Sequence, residues 1–247
     1  MYVKIYAMDN IVGRLQSTFP SHQLDVIIGS LLGDARLECR SKGIRTSYTA
    51  RFRVHHGEKQ KEYVWWKYEI LKNLVSCEPK EISCINKKRN LHEVSWYFHT
   101  KSLKNFGIIH EIFYKNEVKK FPIEILSIFS DRMLAVWYMD DGSNNHGNIT
   151  LNTHSFSLED QKIIVDFLKK KYQISPTIVK DRNQWKIAIG RKDYNYFLSI
   201  VAPFILKAMA YKIDNPRIDL SIKSAEFRHN KVGANTSVPK VENLEKV

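Results

Sequence analysis

Apolar positions fall into two similar series of helix-period and strand-period runs. In the first, residues 24–35 (LDVIIGSLLGDA) read as a short apolar helix ending near Asp34. In residues 48–55, Ala50, Phe52 and Val54 alternate with Arg51, Arg53 and His55, which predicts a half-buried strand. Residues 58–74 return to helical spacing, residues 91–99 alternate again, and residues 101–115 (KSLKNFGIIHEIFYK) predict one more helix.

The second series opens with DRMLAVWYMDDG (131–142), an apolar helix ending at Asp140, Asp141 and Gly142. A strand follows at 148–155, then a helix over 157–172 with Ser157 as N-cap, a hairpin from 177–182 to 184–190, and a helix over 192–206. Each series therefore reads helix, strands, helix, strands, helix, and each ends in a Lys-containing segment near a proline. The two acidic helix ends lie 141 − 34 = 107 residues apart, room for one small αβ unit each. The expected fold class is α+β, two pseudo-symmetric half-domains of αββαββα type over residues 1–118 and 119–225, each with an antiparallel sheet. Residues 226–247, with little apolar periodicity, are expected to form a mobile tail.

Charge narrows the partner. Lys and Arg number 39 against 26 Asp and Glu, a net +13 that attracts polyanions. No segment approaches the ~20 apolar residues needed to cross a bilayer, and the basic residues are spread among aromatics instead of lining one amphipathic helix. Nucleic acid is the favoured partner, with no membrane. Cys39, Cys77 and Cys84 lack the close pairs of a structural zinc site and are expected as reduced, buried thiols. The first residues resemble neither a secretory signal nor a transit peptide, so secretion is not expected. His92, His99 and His110 fit no compact metal site, and Trp65 and Trp66 read as core.

The acidic helix ends are the candidate chemistry. A carboxylate at a helix C-terminus faces the negative end of the backbone dipole, which costs up to about 1 kcal/mol. If the two helices pack side by side, Asp34 and Asp141 meet, and mutual repulsion raises one pKa unless a divalent ion neutralises them. Oxygen-only ligands suit Mg²⁺. Gly29 and Gly33 stand on one face of the first helix and would allow close approach, with Ala135 available opposite.

At these residues the chain resembles the LAGLIDADG homing endonuclease family. Residues 27–35 (IIGSLLGDA) match the first motif and residues 134–142 (LAVWYMDDG) the second; GDA, YMDDG, LNTHSF and MAYK are most like the single-chain, two-motif branch. The resemblance spans roughly residues 20–220, with Ala35 in place of a motif glycine and Val136-Trp137 in place of a Gly-Leu pair. It implies two four-stranded sheets forming a saddle over the DNA major groove. It assigns Asp34 and Asp141 as essential metal-binding acids, the carbonyls of Gly33 and Asp140 as auxiliary ligands, and Lys120 and Lys212 as the active-site lysines, Lys119 being one residue away. Two or three Mg²⁺ ions shared between the two active sites are implied, with Mn²⁺ able to substitute.

The strand pattern offers a polar face that suits this picture: Arg51, Arg53 and His55 in one half, and Asn152, His154, Lys180, Arg182 and Lys186 in the other. Such side chains can read base edges or hold phosphate. The expected activity is Mg²⁺-dependent double-strand cleavage of a long DNA target by a monomer, in an organelle, the mitochondrion by family analogy. The alternatives are a maturase that assists splicing of intron RNA and a non-catalytic binding scaffold.

Overall fold

The computed structural model describes residues 11–39, 49–86 and 90–213. The end of the expected second half and the tail from residue 226 lie outside them. Helix α1 (Ser21–Leu32) buries ten of its twelve residues, as its nearly unbroken apolar run requires. Its counterpart α4 (Asp131–Asp141) buries every residue from Met133 to Asp140. Ser130 caps α4, its hydroxyl accepting from Met133 N–H at 3.0 Å and donating to Asp25 of α1 at 2.6 Å.

These two helices form the central seam. A Cβ on Gly29 would lie 2.7 Å from both the Met133 carbonyl oxygen and Val136 Cβ, and one on Gly33 would lie 2.4 Å from Asp140 Cβ. The two glycines thus set the approach as expected. Their nearest partners are Met133, Val136 and Asp140; the contact repeats every three to four residues, as packed helical ridges do.

Around the seam lie two sheets of identical order. The first joins β1 (Arg36–Cys39), β2 (Ala50–Gly57), β3 (Lys80–Asn86) and β4 (Leu91–His99) in the order β1-β2-β4-β3, all antiparallel. The second joins β7 (Gly142–Asn144), β8 (Ile149–Leu151), β9 (Thr177–Asp181) and β10 (Gln184–Ile189) in the order β7-β8-β10-β9. Helices α2 (Lys61–Leu71) and α3 (Lys104–Phe113) accompany the first sheet, and α5 (Leu158–Tyr172) and α6 (Arg191–Val201) the second. The repeated α+β order read from the chain is therefore the architecture.

Two local expectations fail. Helix α3 stops at Phe113, because Tyr114–Lys115 (β5) pairs with Val118–Lys119 (β6) around Asn116 and Glu117, both with positive φ. The division expected after residue 118 falls inside this ribbon. Cys77 and Cys84 are exposed, not buried. Trp65 and Trp66 pack against the core, as expected. Among the described residues, no helix is long and apolar enough to cross a membrane.

Candidate active site and nucleic-acid interface

The seam delivers its acids to one end. Asp141 is the last residue of α4, and Asp34 lies two residues beyond α1 with its side chain 44% exposed. Burial, followed by the charges of Asp34 and Asp140, pushes the Asp141 carboxyl up to about 7. Burial and then the charge of Asp140 also raise Asp34, against the pull of Lys67, Lys212 and Lys119. Carboxylates that repel one another at a partly open mouth are a donor set that suits a hard divalent cation. The residues present therefore fit the expected ion.

Two lysines close the helix ends. Lys119 Nζ donates to the Gly33 carbonyl at 2.8 Å. Lys212 Nζ donates to the carbonyls of Gly142 at 2.8 Å, Asp140 at 3.2 Å and Tyr138 at 3.3 Å. Each ammonium thus sits at the negative end of one motif helix, where a cation is favoured. Burial lowers both lysines, Lys119 to about 8, against the pull of the nearby aspartates.

Lys120, the expected residue, does not take this place. Its backbone N–H bonds the Phe113 carbonyl, and among the described residues its side chain makes no hydrogen bond or ion pair. The β5–β6 turn sets the alternation so that Lys119 faces the seam. The expected carbonyl ligands Gly33 and Asp140 are both present at the site, where each accepts from a lysine.

Asp140 also holds a second role that the sequence reading missed. Its side chain is fully buried and accepts from Lys67 Nζ at 2.7 and 3.0 Å. Lys67 also meets His56 Nε2 at 3.2 Å, and His56 Nδ1 lies 3.7 Å from Asp34 Oδ2. Asp34, His56 and Asp140 can bring ligand atoms within 4.8 Å of one another, yet both Asp140 oxygens are already taken by Lys67. Burial, then Lys67, lowers His56 to about 4, so its ring is neutral. A signal for both residues was available. His56 continues the buried alternation of Ala50, Phe52 and Val54, and Lys67 stands on the same helical face as Tyr63, Val64 and Leu71.

The sheet residues divide less simply than expected. Arg36, Glu38, Arg51 and Arg53 share the face of the first sheet opposite Leu37, Phe52 and Val54. Glu38 accepts from Arg51 at 2.8 and 2.5 Å, from Arg36 at 3.0 and 2.8 Å, and from Arg53 at 3.2 Å. Burial raises the Glu38 carboxyl, but the hydrogen bonds from Arg36, Arg51 and Arg53 outweigh it and leave it at about 2. His55 pairs with Ser95 at 2.9 Å on the same face.

In the second sheet, Lys186 approaches Asp181 at 2.9 Å; the strand expected over 148–155 ends at Leu151, so His154 reaches the same carboxylate at 3.3 Å from the turn beyond it. Asn152 lies at the edge of the acidic site, its N–H bonded to the Asp141 carbonyl at 3.0 Å. Lys180 does not join Lys186. It pairs with Trp185, whereas Lys186 pairs with Val179, so the register puts Lys180 on the opposite face. Arg182 occupies the hairpin turn with φ +56° and belongs to neither face.

Residues 24–197 match the family model described as the LAGLIDADG DNA endonuclease family. The chain is 30% identical over 210 residues to DNA endonuclease I-ChuI of Chlamydomonas applanata, covering 78% of this chain and 94% of that one. It is 27% identical over 218 residues to cytochrome b mRNA maturase bI2 of Debaryomyces hansenii, covering 86% and 81% of the two chains. Among solved structures, the homing endonuclease I-WcaI bound to its DNA recognition sequence shares the fold with a TM-score of 0.71 and 22% identity, over 82% of this chain and 92% of that one.

Proposed function

From the premise that this chain belongs to the LAGLIDADG DNA endonuclease family, we propose that it is a site-specific endonuclease that cuts both strands of a long DNA target by metal-dependent hydrolysis. The observation that supports the reading is that Asp34, just past the end of α1, and Asp141, the last residue of α4, stand at the same end of two closely packed helices, between two sheets whose polar faces carry arginine, lysine and histidine.

Asp34 and Asp141 would hold the ions, and their oxygen-only character favours Mg²⁺, with Mn²⁺ a substitute. Bound there, two or three divalent ions supply an activated water and charge stabilisation for an in-line displacement at phosphorus. Lys119 and Lys212 keep positive charge beside the acids and are placed to offset phosphate charge. The basic sheet faces hold the duplex over the site. The chain would act as a monomer, because one chain supplies both acids. An organelle, in particular the mitochondrion, is the location suggested by the cytochrome b maturase relatives.

The test is direct. Asp34→Asn and Asp141→Asn should abolish double-strand cleavage of a target selected from a random DNA library with Mg²⁺, while DNA binding persists. Full cutting by either variant would refute the assignment. Binding should also weaken steeply with salt, since it rests on phosphate neutralisation.

The maturase likeness favours a second reading, assistance to the splicing of a group I intron. A splicing assay with intron RNA, run beside the cleavage assay on the same Asp141→Asn protein, separates them: splicing that survives the substitution while cleavage is lost assigns both activities to different surfaces.

A further inference from the structure

A carboxylate in the middle of a polyanion-binding face works against affinity, and Glu38 is such a carboxylate. Its neighbours explain its presence better than charge does. Arg51 is held through Nε and Nη2 on a single Glu38 oxygen, with its side chain only 14% exposed. Arg53 is held through Nη1 on the other oxygen and lies 5.2 Å over the Tyr97 ring, a second restraint in a different direction. Among the described residues, no protein acceptor takes Nη1 of Arg51 or Nη2 of Arg53. Each guanidinium is therefore fixed in orientation while part of its donor fork has no partner among the described residues.

Orientation is what base readout needs and phosphate attraction does not. A mobile arginine finds a phosphate in many rotamers, whereas reading a guanine edge demands one plane and one direction. We propose that Glu38 is a specificity-determining residue, which surrenders affinity in order to aim Arg51 and Arg53 at base edges. This rests on the reading of the first sheet's polar face as the DNA surface, but it requires no cutting.

The prediction has opposite signs for affinity and selectivity. Glu38→Gln keeps the size and removes the charge. It should raise affinity for random-sequence duplex and steepen the salt dependence by about one phosphate contact. At the same time it should reduce discrimination at a few base pairs by about tenfold, the scale of one bidentate base contact. Those base pairs should be the ones relaxed by Arg51→Ala and Arg53→Ala. Glu38→Asp, which keeps the charge on a shorter arm, should retain part of the preference.

The experiment selects bound sites from a random double-stranded DNA library with the wild type and each variant, with thermal melts confirming that all fold. Affinity that rises equally for every sequence, with the selected motif unchanged, would overturn the proposal, as would relaxation at positions indifferent to Arg51 and Arg53. A wild type that selects no sequence at all would overturn it too. A wild type that selects sites but cuts none would refute the nuclease and leave the role of Glu38 standing.

Discussion

The two halves share strand order and a motif helix, yet they stabilise the corner behind their acids by different means. The corner behind Asp34 is charged and spans the seam: Lys67 of the first half and Asp140 of the second are both fully buried, with neutral His56 between them and Asp34. In the second half, the corresponding corner past β8 is neutral. Buried Thr153 donates to Gln161 at 3.1 Å, and Gln161 Nε2 reaches the carbonyls of Thr153, Phe156 and Trp185 at 3.2, 3.3 and 2.8 Å. Backbone topology thus tolerates either solution, and the consequence lies in what happens when one member is lost. A buried ion without its partner keeps its full desolvation cost, while an unpaired amide keeps a smaller one.

The largest expected effect follows from that asymmetry. Lys67→Met leaves the Asp140 carboxylate buried and unpaired, and should lower stability by about 3–5 kcal/mol. Gln161→Leu, in the neutral corner, should cost about 1–3 kcal/mol. Lys67→Met combined with Asp140→Asn removes both charges and should recover much of the loss. Urea unfolding of the three variants measures this directly. Equal losses for Lys67→Met and Gln161→Leu, or no recovery in the double variant, would show that the charged corner is no more demanding than the neutral one.

The seam between the halves gives the next effect. An added methyl at Gly29 meets the Met133 carbonyl and Val136 from α4. Gly29→Ala should therefore separate the halves slightly and cost about 1–3 kcal/mol. Gly13→Ala, whose methyl meets nothing within 4 Å, is the control. If Gly29→Ala unfolded at the same urea concentration as Gly13→Ala, the seam would be looser than the contacts indicate.

The repeat, the paired acids and the close glycines were legible because they depend on periodicity and spacing, which the chain carries locally. What was missed depends on which face a residue takes. Lys119 rather than Lys120 follows from a two-residue turn at Asn116-Glu117, which directly follows a run that reads as helix and carries no Gly or Pro turn signal of its own. Lys180 was grouped with Lys186 because both are basic and close in sequence, but the hairpin register sends them to opposite faces. Lys67 carries no chemistry signal of its own in the sequence, although its spacing from Tyr63 and Leu71 places it on the buried face. Glu38 could not be paired with Arg51 and Arg53 from the sequence alone, because that contact depends on β1–β2 register across a segment with no fixed turn signal.

The smallest effect compares Asp141 with the acid at the other end of the scale, Glu38. Asp141 has a folded pKa of about 7 against an ordinary 3.8, so between those values the folded chain binds a proton that the unfolded chain has lost. Stability falls as pH rises through that interval, and above it the penalty is fully present. Glu38, held at about 2 against 4.5, has the opposite sign: its contribution is present above 4.5 and is lost as pH falls toward 2. In metal-free buffer, Asp141→Asn should therefore melt a few degrees higher than the wild type at pH 8, with the advantage shrinking as pH falls through that interval and vanishing only below the ordinary 3.8, where the carboxyl is protonated in both the folded and the unfolded chain. Adding Mg²⁺ at pH 8 should close the same gap from the other side, by stabilising the wild type through its ionised acid. Thermal melts over that pH range decide the matter, and a difference that does not change with pH would mean that the like charges of Asp34 and Asp140 do not burden Asp141.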